Sequence, residues 1–425
     1  MRVLMFGWEF PPHITGGLGT ACFGLSRSLA RLGTDLLFVV PRAYGDEDQS
    51  SVNLINASDV TVDLEQSELT EFWKRIQYMS VASHIIPYVG PDEYSKIHFE
   101  ELKNEFQNNS IFSHKYTFSG KYGKNLLFEV SRYALIASGI AASNHFDLIH
   151  AHDWLTYPAG IAAKEVSGKP LVIHVHATEF DRSGENINKD VFDIEKRGME
   201  AADQVITVSN LTRNIVITKY GIDPSKVTTV YNGADAFQAQ EIPEIDRPFP
   251  EKVVTFLGRI TFQKGPDYFV EAARKVLDKD PNVRFVMAGS GDMLPRIVKM
   301  VAKYRMGDRF HFTGFLKGGD VDKMFAYSDV YVMPSVSEPF GISPLEAMRS
   351  NVPVVISHQS GVSEVLVHAL KVDFWDIDAM ADSIYGLLHY NGISKMFKKH
   401  GRDEVEQLKW DNAAANCIDV YKKVL

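Results

Sequence analysis

Cysteine is scarce in this 425-residue sequence: there are two, Cys22 and Cys417, near opposite ends. Two such distant thiols make neither a disulfide framework nor a zinc-finger spacing, and they suit a reducing compartment. Basic charge is also short, with 45 Lys and Arg against 54 Asp and Glu, a formal net charge of −9. That balance argues against nucleic acid, whose phosphates call for a basic face. It argues equally against stable association with an anionic membrane. No uninterrupted apolar run reaches the roughly 18 residues of a bilayer span. The apolar start is broken by Glu9 and the pair Pro11-Pro12 before a signal-peptide core can form. The expectation is a cytoplasmic protein that handles a neutral polymer or a small polar molecule. Short internal repeats are lacking too.

What remains is ordinary for a globular chain: 45% of the residues are hydrophobic and 23% charged. The length exceeds one ordinary core and calls for two or three domains. Strand and helix patterns alternate: strands at 3–6, 35–40, 148–152, 171–176, 204–208 and 226–231, with helices at 21–32, 131–143, 156–166, 189–201 and 210–219. Between them, residues 41–130 are irregular and rich in aromatics, including Phe72, Trp73, Tyr78, Tyr88, Tyr94, Phe112, Tyr116 and Phe118, which can fill gaps in the core or stack on sugar rings. Residues 236–250 hold three prolines and three acids without periodicity and read as a linker. A second series then follows, with strands at 253–257, 284–288, 310–313, 330–334 and 354–356 and helices near 266–279, 294–304, 320–327 and 343–350. The stretch from about 405 to 425 reads as helical. Such alternation predicts an α/β protein with two Rossmann-like, doubly wound parallel sheets, and ligands of that architecture bind beyond the carboxyl ends of the strands.

The strongest local feature is Glu338-Pro-Phe-Gly-Ile-Ser-Pro-Leu-Glu346, a loop running from a strand into a helix. Backbone N–H groups of Gly341 and Ile342 at the helix start can meet a phosphate, and Glu338 stands on the same loop. Ser343 and Glu346 also fit a capping box, in which Glu346 only closes its own helix. Arg259 and Lys264 follow the first strand of the second half and suit a diphosphate, Arg by a forked contact and Lys as a point charge. Thr15-Gly-Gly-Leu-Gly-Thr20 is a glycine turn whose spacing fails the dinucleotide fingerprint, and Gly314 belongs to another turn on the cleft side. Two His-x-His pairs, His150/His152 and His174/His176, each put both rings on one face of a strand. They permit a metal-dependent hydrolase with Asp153 or Glu179 as further ligands. The other reading packs His150 and His174 in the sheet, lets His152 and His176 reach the cleft, and uses His176, Asp153 and Glu179 to grip sugar hydroxyls.

Together these stretches resemble the retaining glycosyltransferases of the GT-B fold, and within them the glycogen and starch synthases. The likeness rests on Gly258-Arg259…Lys264-Gly265, on 338–346 and on His152-Asp153-Trp154. It implies an acceptor-side domain over 1–238, a donor domain over 239–404, and a final helix over 405–425, marked by Trp410-Asp-Asn, that crosses back to the first domain. It also implies a role for each matching residue. Arg259 and Lys264 hold the donor diphosphate, Glu338 lies beside the transferred sugar and Glu346 binds the ribose. His176 holds the sugar and stabilises the transition state, Asp153 lies near sugar and acceptor, and Glu9 and Trp154 stand on the acceptor side. Gly17, Gly314, Phe340, Gly341 and Ile342 complete the donor site. The implied reaction moves glucose from ADP-glucose or UDP-glucose to an α-glucan or oligosaccharide without a metal or other cofactor. One departure stands out: those synthases carry lysine just before the glycine pair, where this chain has Thr15. The loss of that cation leaves the nucleotide open and points toward the sister family that includes sucrose, trehalose and lipopolysaccharide transferases. A non-catalytic sugar-nucleotide-binding protein is a further reading of the same residues.

Overall fold

A computed structural model describes residues 1–14, 16–60, 116, 118–120, 122–123, 126–235 and 249–425. Thr15, most of the 236–250 linker, and the aromatics Phe72, Trp73, Tyr78, Tyr88, Tyr94 and Phe112 lie outside the described residues.

The strands form two separate sheets, and every pairing is parallel. The first contains β1 (Arg2–Phe6), β2 (Asp35–Val40), β3 (Asn53–Asn56), β4 (Leu148–His152), β5 (Leu171–Val175), β6 (Gln204–Thr207) and β7 (Val227–Thr229), in the order β3-β2-β1-β4-β5-β6-β7. The second contains β8 (Lys252–Leu257), β9 (Val283–Ala288), β10 (Phe310–Gly314), β11 (Val330–Met333), β12 (Val354–Ser357) and β13 (Leu370–Val372), in the order β10-β9-β8-β11-β12-β13. The described helices are α1 (Gly17–Arg31), α2 (Leu126–Ser143), α3 (Tyr157–Ser167), α4 (Glu179–Ser183), α5 (Lys189–Ala201), α6 (Asn210–Tyr220), α7 (Pro266–Lys279), α8 (Leu294–Lys303), α9 (Gly319–Tyr327), α10 (Ser343–Arg349), α11 (Ile377–His389), α12 (Asn391–Val405) and α13 (Trp410–Lys422).

Central strands such as β4 and β5 are buried along their whole length, which is why they read as apolar runs rather than as alternation. Each sheet has hydrophobic clusters on both faces. The strand order reverses between β1 and β4 in the first sheet and between β8 and β11 in the second, so each sheet opens a crevice at that point. α2 has the length and a mean hydropathy of 1.2 that a bilayer span would need, but 61% of it is buried inside the fold. Tyr116 and Phe118 are buried in the first core and have no surface to offer a sugar.

The chain crosses between the sheets a second time after α12. The backbone N–H of Ala234 donates to Leu408 O at 2.7 Å, and Trp410 then enters the core of the first domain beside Cys22, Leu25 and Leu29. Gly24 makes room for it: a Cβ there would lie 2.3 Å from the indole. Burying an indole this completely contributes about 3–5 kcal/mol, judged from the cost of truncating one. α13 thus packs on α1, and Tyr421 Oη meets His150 Nδ1 at 2.6 Å.

Four imidazoles stand together at the carboxyl end of β4 and β5. Ring centroids are 4.2 Å apart for His150 and His152, 4.3 Å for His174 and His176, and 5.3 Å for His150 and His174. Burial drives all four toward the neutral form: His150 and His176 fall to about 3, and His152 and His174 fall well below their ordinary value. Neighbouring imidazoles lower His150, His152 and His174 further. An unfolded histidine titrates near ~6.5, so below that pH the unfolded chain takes up protons that the fold refuses. The stability due to these residues is complete above ~6.5 and is lost as the pH falls toward ~3. The unfolding temperature is therefore expected to drop across that window, and less steeply in His174→Gln. Parallel pH profiles for the two proteins in thermal unfolding would contradict this.

Candidate functional site

On the first sheet the site begins where β1 and β4 diverge. Glu9 follows β1 and is buried. Its Oε2 lies against the first turn of α1, 3.3 Å from where a Cβ on Gly19 would stand. α1 opens at Gly17 with the extended Gly16 as its cap residue and no side-chain cap, so its first-turn N–H groups face the crevice. Asp153 follows β4 with φ 63°, a left-handed conformation that a non-glycine residue holds only under constraint. Here His174 O accepts its N–H at 2.9 Å, and its own Oδ1 accepts from the N–H of Ala177 at 3.3 Å. Burial raises the Asp153 carboxyl, while Arg182 and the amides of Ala177 and His176 pull it back. His176 follows β5 and is partly exposed, with Nε2 2.9 Å from His152 Nδ1.

On the second sheet two loops are knitted together. Gly265 has φ 64°, and a Cβ there would stand 2.1 Å from Pro334 O, so glycine lets the 258–265 loop touch the 334–342 loop. Val336 N–H donates to Gln263 O at 2.9 Å. Lys264 is thereby ion-paired with Glu338, and Ser335 Oγ donates to the same carboxylate oxygen at 3.2 Å. Glu338 itself is fixed through its backbone: its N–H donates to Gln359 O, and its carbonyl accepts from Gly361. Arg259 is exposed at the mouth of the loop, and Gly314 ends β10 with φ 73°.

The halves meet through α4, a single turn closed by a true capping box between Thr178 and Asp181. The other oxygen of Asp181 accepts from Ser337 Oγ at 2.6 Å, tying the residue beside Glu338 to the segment that follows His176. Arg182 anchors α4 from below through Glu179 and Glu195, and Tyr220 donates to Glu195. Burial lifts the Glu195 carboxyl to about 7 against the pull of Arg182 and Tyr220. Glu364 of the second half accepts the backbone N–H groups of Asn210 and Leu211 at 2.9 and 2.7 Å, so it caps α6 of the first with negative charge where the helix dipole favours it.

Several sequence-based expectations need correction. Trp154 is fully buried in the first core and cannot stand on an acceptor. Phe340 is likewise a core side chain, and its carbonyl is taken by Val362 N–H. Glu179 spends its carboxylate on Arg182, Ser183 and Asn188 rather than on a sugar. His152 is as buried as His150 and does not reach the cleft. Ser343 and Glu346 form no capping box: the helix starts from Ile342 without a side-chain cap, and Ser343 turns to Tyr331 Oη at 2.8 Å. Glu346 is left half-buried, its carboxyl raised by desolvation and by Asp322 and Asp235 but eased by Arg349. His150, His152 and His174 do bring one ligand atom each within 4.8 Å of one another. All three are closed off from solvent, whereas a hydrolytic metal needs a position open to substrate. Asp181, Ser335, Ser337 and Glu364 escaped the sequence reading. Only Asp181 left a trace, in the pattern Thr178-x-x-Asp181.

Residues 2–226 match the family model of the starch synthase catalytic domain, and residues 237–404 match that of glycosyl transferases group 1. A glycosyltransferase of Methanocaldococcus jannaschii is 28% identical, the alignment covering 99% of this chain and 98% of that one. The glycogen synthase of Mycobacterium tuberculosis H37Rv is 26% identical over 99% of this chain and 94% of its own length. Among solved structures, Anabaena HepE in complex with UDP-glucose superposes with a TM-score of 0.66 at 16% identity and covers all of both chains. Two parallel sheets open toward one crevice, and the two family models divide between them at the connection that joins them. The chain belongs to the GT-B glycosyltransferases, in their glycogen and starch synthase-like branch.

Proposed function

We propose that the protein transfers glucose from a nucleoside diphosphate glucose, ADP- or UDP-linked, to an α-glucan or related oligosaccharide, with retention at the anomeric carbon and without a metal. The observation that carries this reading is the Ser337–Asp181 hydrogen bond, which ties the loop that holds Glu338 to the segment that follows His176. The names of the relatives support it: one is a glycogen synthase, and HepE is captured with UDP-glucose.

In this mechanism Arg259, Lys264 and the first-turn N–H groups of α1 at Gly17 and of α10 beside Gly341 and Ile342 take the diphosphate. The Lys264–Glu338 pair opens as phosphate replaces carboxylate at the ammonium. Glu338 is then free to meet the sugar, and Glu346 meets the ribose. His176, kept neutral by burial, offers a hydrogen bond to a sugar hydroxyl without adding charge. Asp153 and Glu9 line the acceptor side. The bond between the anomeric carbon and phosphate oxygen breaks with oxocarbenium character. The acceptor oxygen attacks from the same face, and its proton passes to the departing phosphate oxygen. Charge grows on that phosphate in the transition state, where fixed cations act most strongly.

Lys264→Ala is expected to lower kcat by about 10²–10³, equivalent to about 2.7–4 kcal/mol. Turnover within a few-fold of wild type would remove Lys264 from the reaction. Ser337→Ala loses one hydrogen bond to a carboxylate, worth about 1.5 kcal/mol, so kcat/KM should fall about tenfold with little change in thermal stability. An unchanged kcat/KM would show that the bond plays no part in assembling the site. The donor and acceptor are tested by measuring diphosphate release from ADP-, UDP- and GDP-sugars with glycogen, with maltooligosaccharides and with no acceptor. Release that needs a glucan and ADP- or UDP-glucose supports the reading. Turnover without any acceptor, or none with any glucan, overturns it.

A further inference from the structure

Behind the wall of the first crevice lies a second set of groups, of which the transfer reaction uses His176 alone. One ligand atom each of Cys22, His152 and His176 lies within 4.8 Å of the others. Cys22 comes from α1, His152 ends β4 and His176 follows β5, so three elements converge on one point. Nδ1 of His152 and Nε2 of His176 lie 2.9 Å apart, and the other ring nitrogens, Nε2 of His152 and Nδ1 of His176, are buried without a hydrogen-bond partner. An unpartnered buried polar atom costs about 1–3 kcal/mol, so each ring carries a polar group that the free protein leaves unsatisfied. One sulfur and two imidazole nitrogens are the donors of zinc, whereas magnesium and calcium require oxygen. Three protein ligands leave a fourth position for water. The carboxylates of Asp153 and Glu9 act on the Cys22 thiol and would balance the charge of a divalent cation. Burial and those carboxylates hold the thiol protonated in the free protein, but coordination itself removes that proton.

We propose that Cys22, His152 and His176 form a binding site for zinc or an equally soft divalent cation, and that its occupation withdraws His176 from the sugar and switches transfer off. The binding half stands on the ligand geometry alone, and the switching half rests on the function proposed above.

The full-length protein, stripped of metal, is titrated with cobalt(II) as a spectroscopic stand-in for zinc. One equivalent should bind with a thiolate-to-cobalt charge-transfer band in the near ultraviolet, which zinc then abolishes. Cys22→Ser should lose that band, and His174→Gln should keep it, separating this site from the buried His150, His152 and His174 cluster. In the transferase assay, one equivalent of zinc should remove most wild-type turnover and a chelator should restore it. Cys22→Ser should turn over at the wild-type rate with or without zinc. No stoichiometric binding, a cobalt complex without the thiolate band, or a band that survives Cys22→Ser overturns the site. Binding without loss of turnover overturns the switch. If no donor and acceptor pair gives turnover at all, the proposed function fails, while the cobalt titration still decides the site.

Discussion

The crevice depends on where the chain is tied at its root. The segment leaving the first sheet is bonded at Ala234 to the segment returning to it at Leu408, and Trp410 seals the junction over Gly24. Two crossings at one place let the second sheet move as a unit about that point, because each sheet keeps its own core on both faces. Farther out, among the described residues, the halves meet both through hydrogen bonds, Ser337 with Asp181 and Glu364 with the start of α6, and through apolar contacts, Val208 and Tyr231 packing with Phe340 of the second core. Deep burial at the hinge and a smaller, mixed polar and apolar contact beyond it suit a joint that stays assembled while its mouth opens and closes.

Charge inside the crevice is arranged economically. Glu338 is nearly closed off from water, and a carboxylate there needs a partner. Lys264 supplies one in the free protein and is also the cation best placed for a phosphate. Under the proposed function, the same ammonium neutralises Glu338 and then receives the donor phosphate. On the opposite wall the imidazoles are neutral and Asp153 is held by two amides, so the positive charge is concentrated where the leaving group would stand. An Arg259 exposed at the mouth extends that field outward.

Much of this was legible in the sequence. The strands of both sheets are short apolar runs between glycine turns, and their alternation with helices left little choice of architecture. β3 and β13 were missed because four- and three-residue edge strands carry too little pattern. α11 and α12 fall in a stretch without strand signals to frame them, and the helical stretch at 405–425 is the end of α12 and the whole of α13. Side chains were harder than elements. Trp154 and Phe340 sit in motifs that carry chemistry, yet they serve the core, and sequence spacing does not distinguish a residue that faces the cleft from its neighbour that supports it. The two capping-box patterns make the same point. Thr178-x-x-Asp181 caps its helix, whereas Ser343-x-x-Glu346 does not, because Tyr331 reaches Ser343 from a neighbouring strand. A contact made by a distant strand overrides a local pattern.

The return of α13 to the first domain has a consequence for how the molecule is made. The ribosome releases the strands of the first sheet early, but the helix that covers Cys22, Leu25 and Leu29 on α1 emerges only after the entire second domain. Until then the first domain carries an open apolar groove, with His150 lacking its tyrosine. Domains usually fold as units during synthesis, and this one cannot. Its completion is deferred until the second domain has been made, so the first half does not reach its final form alone.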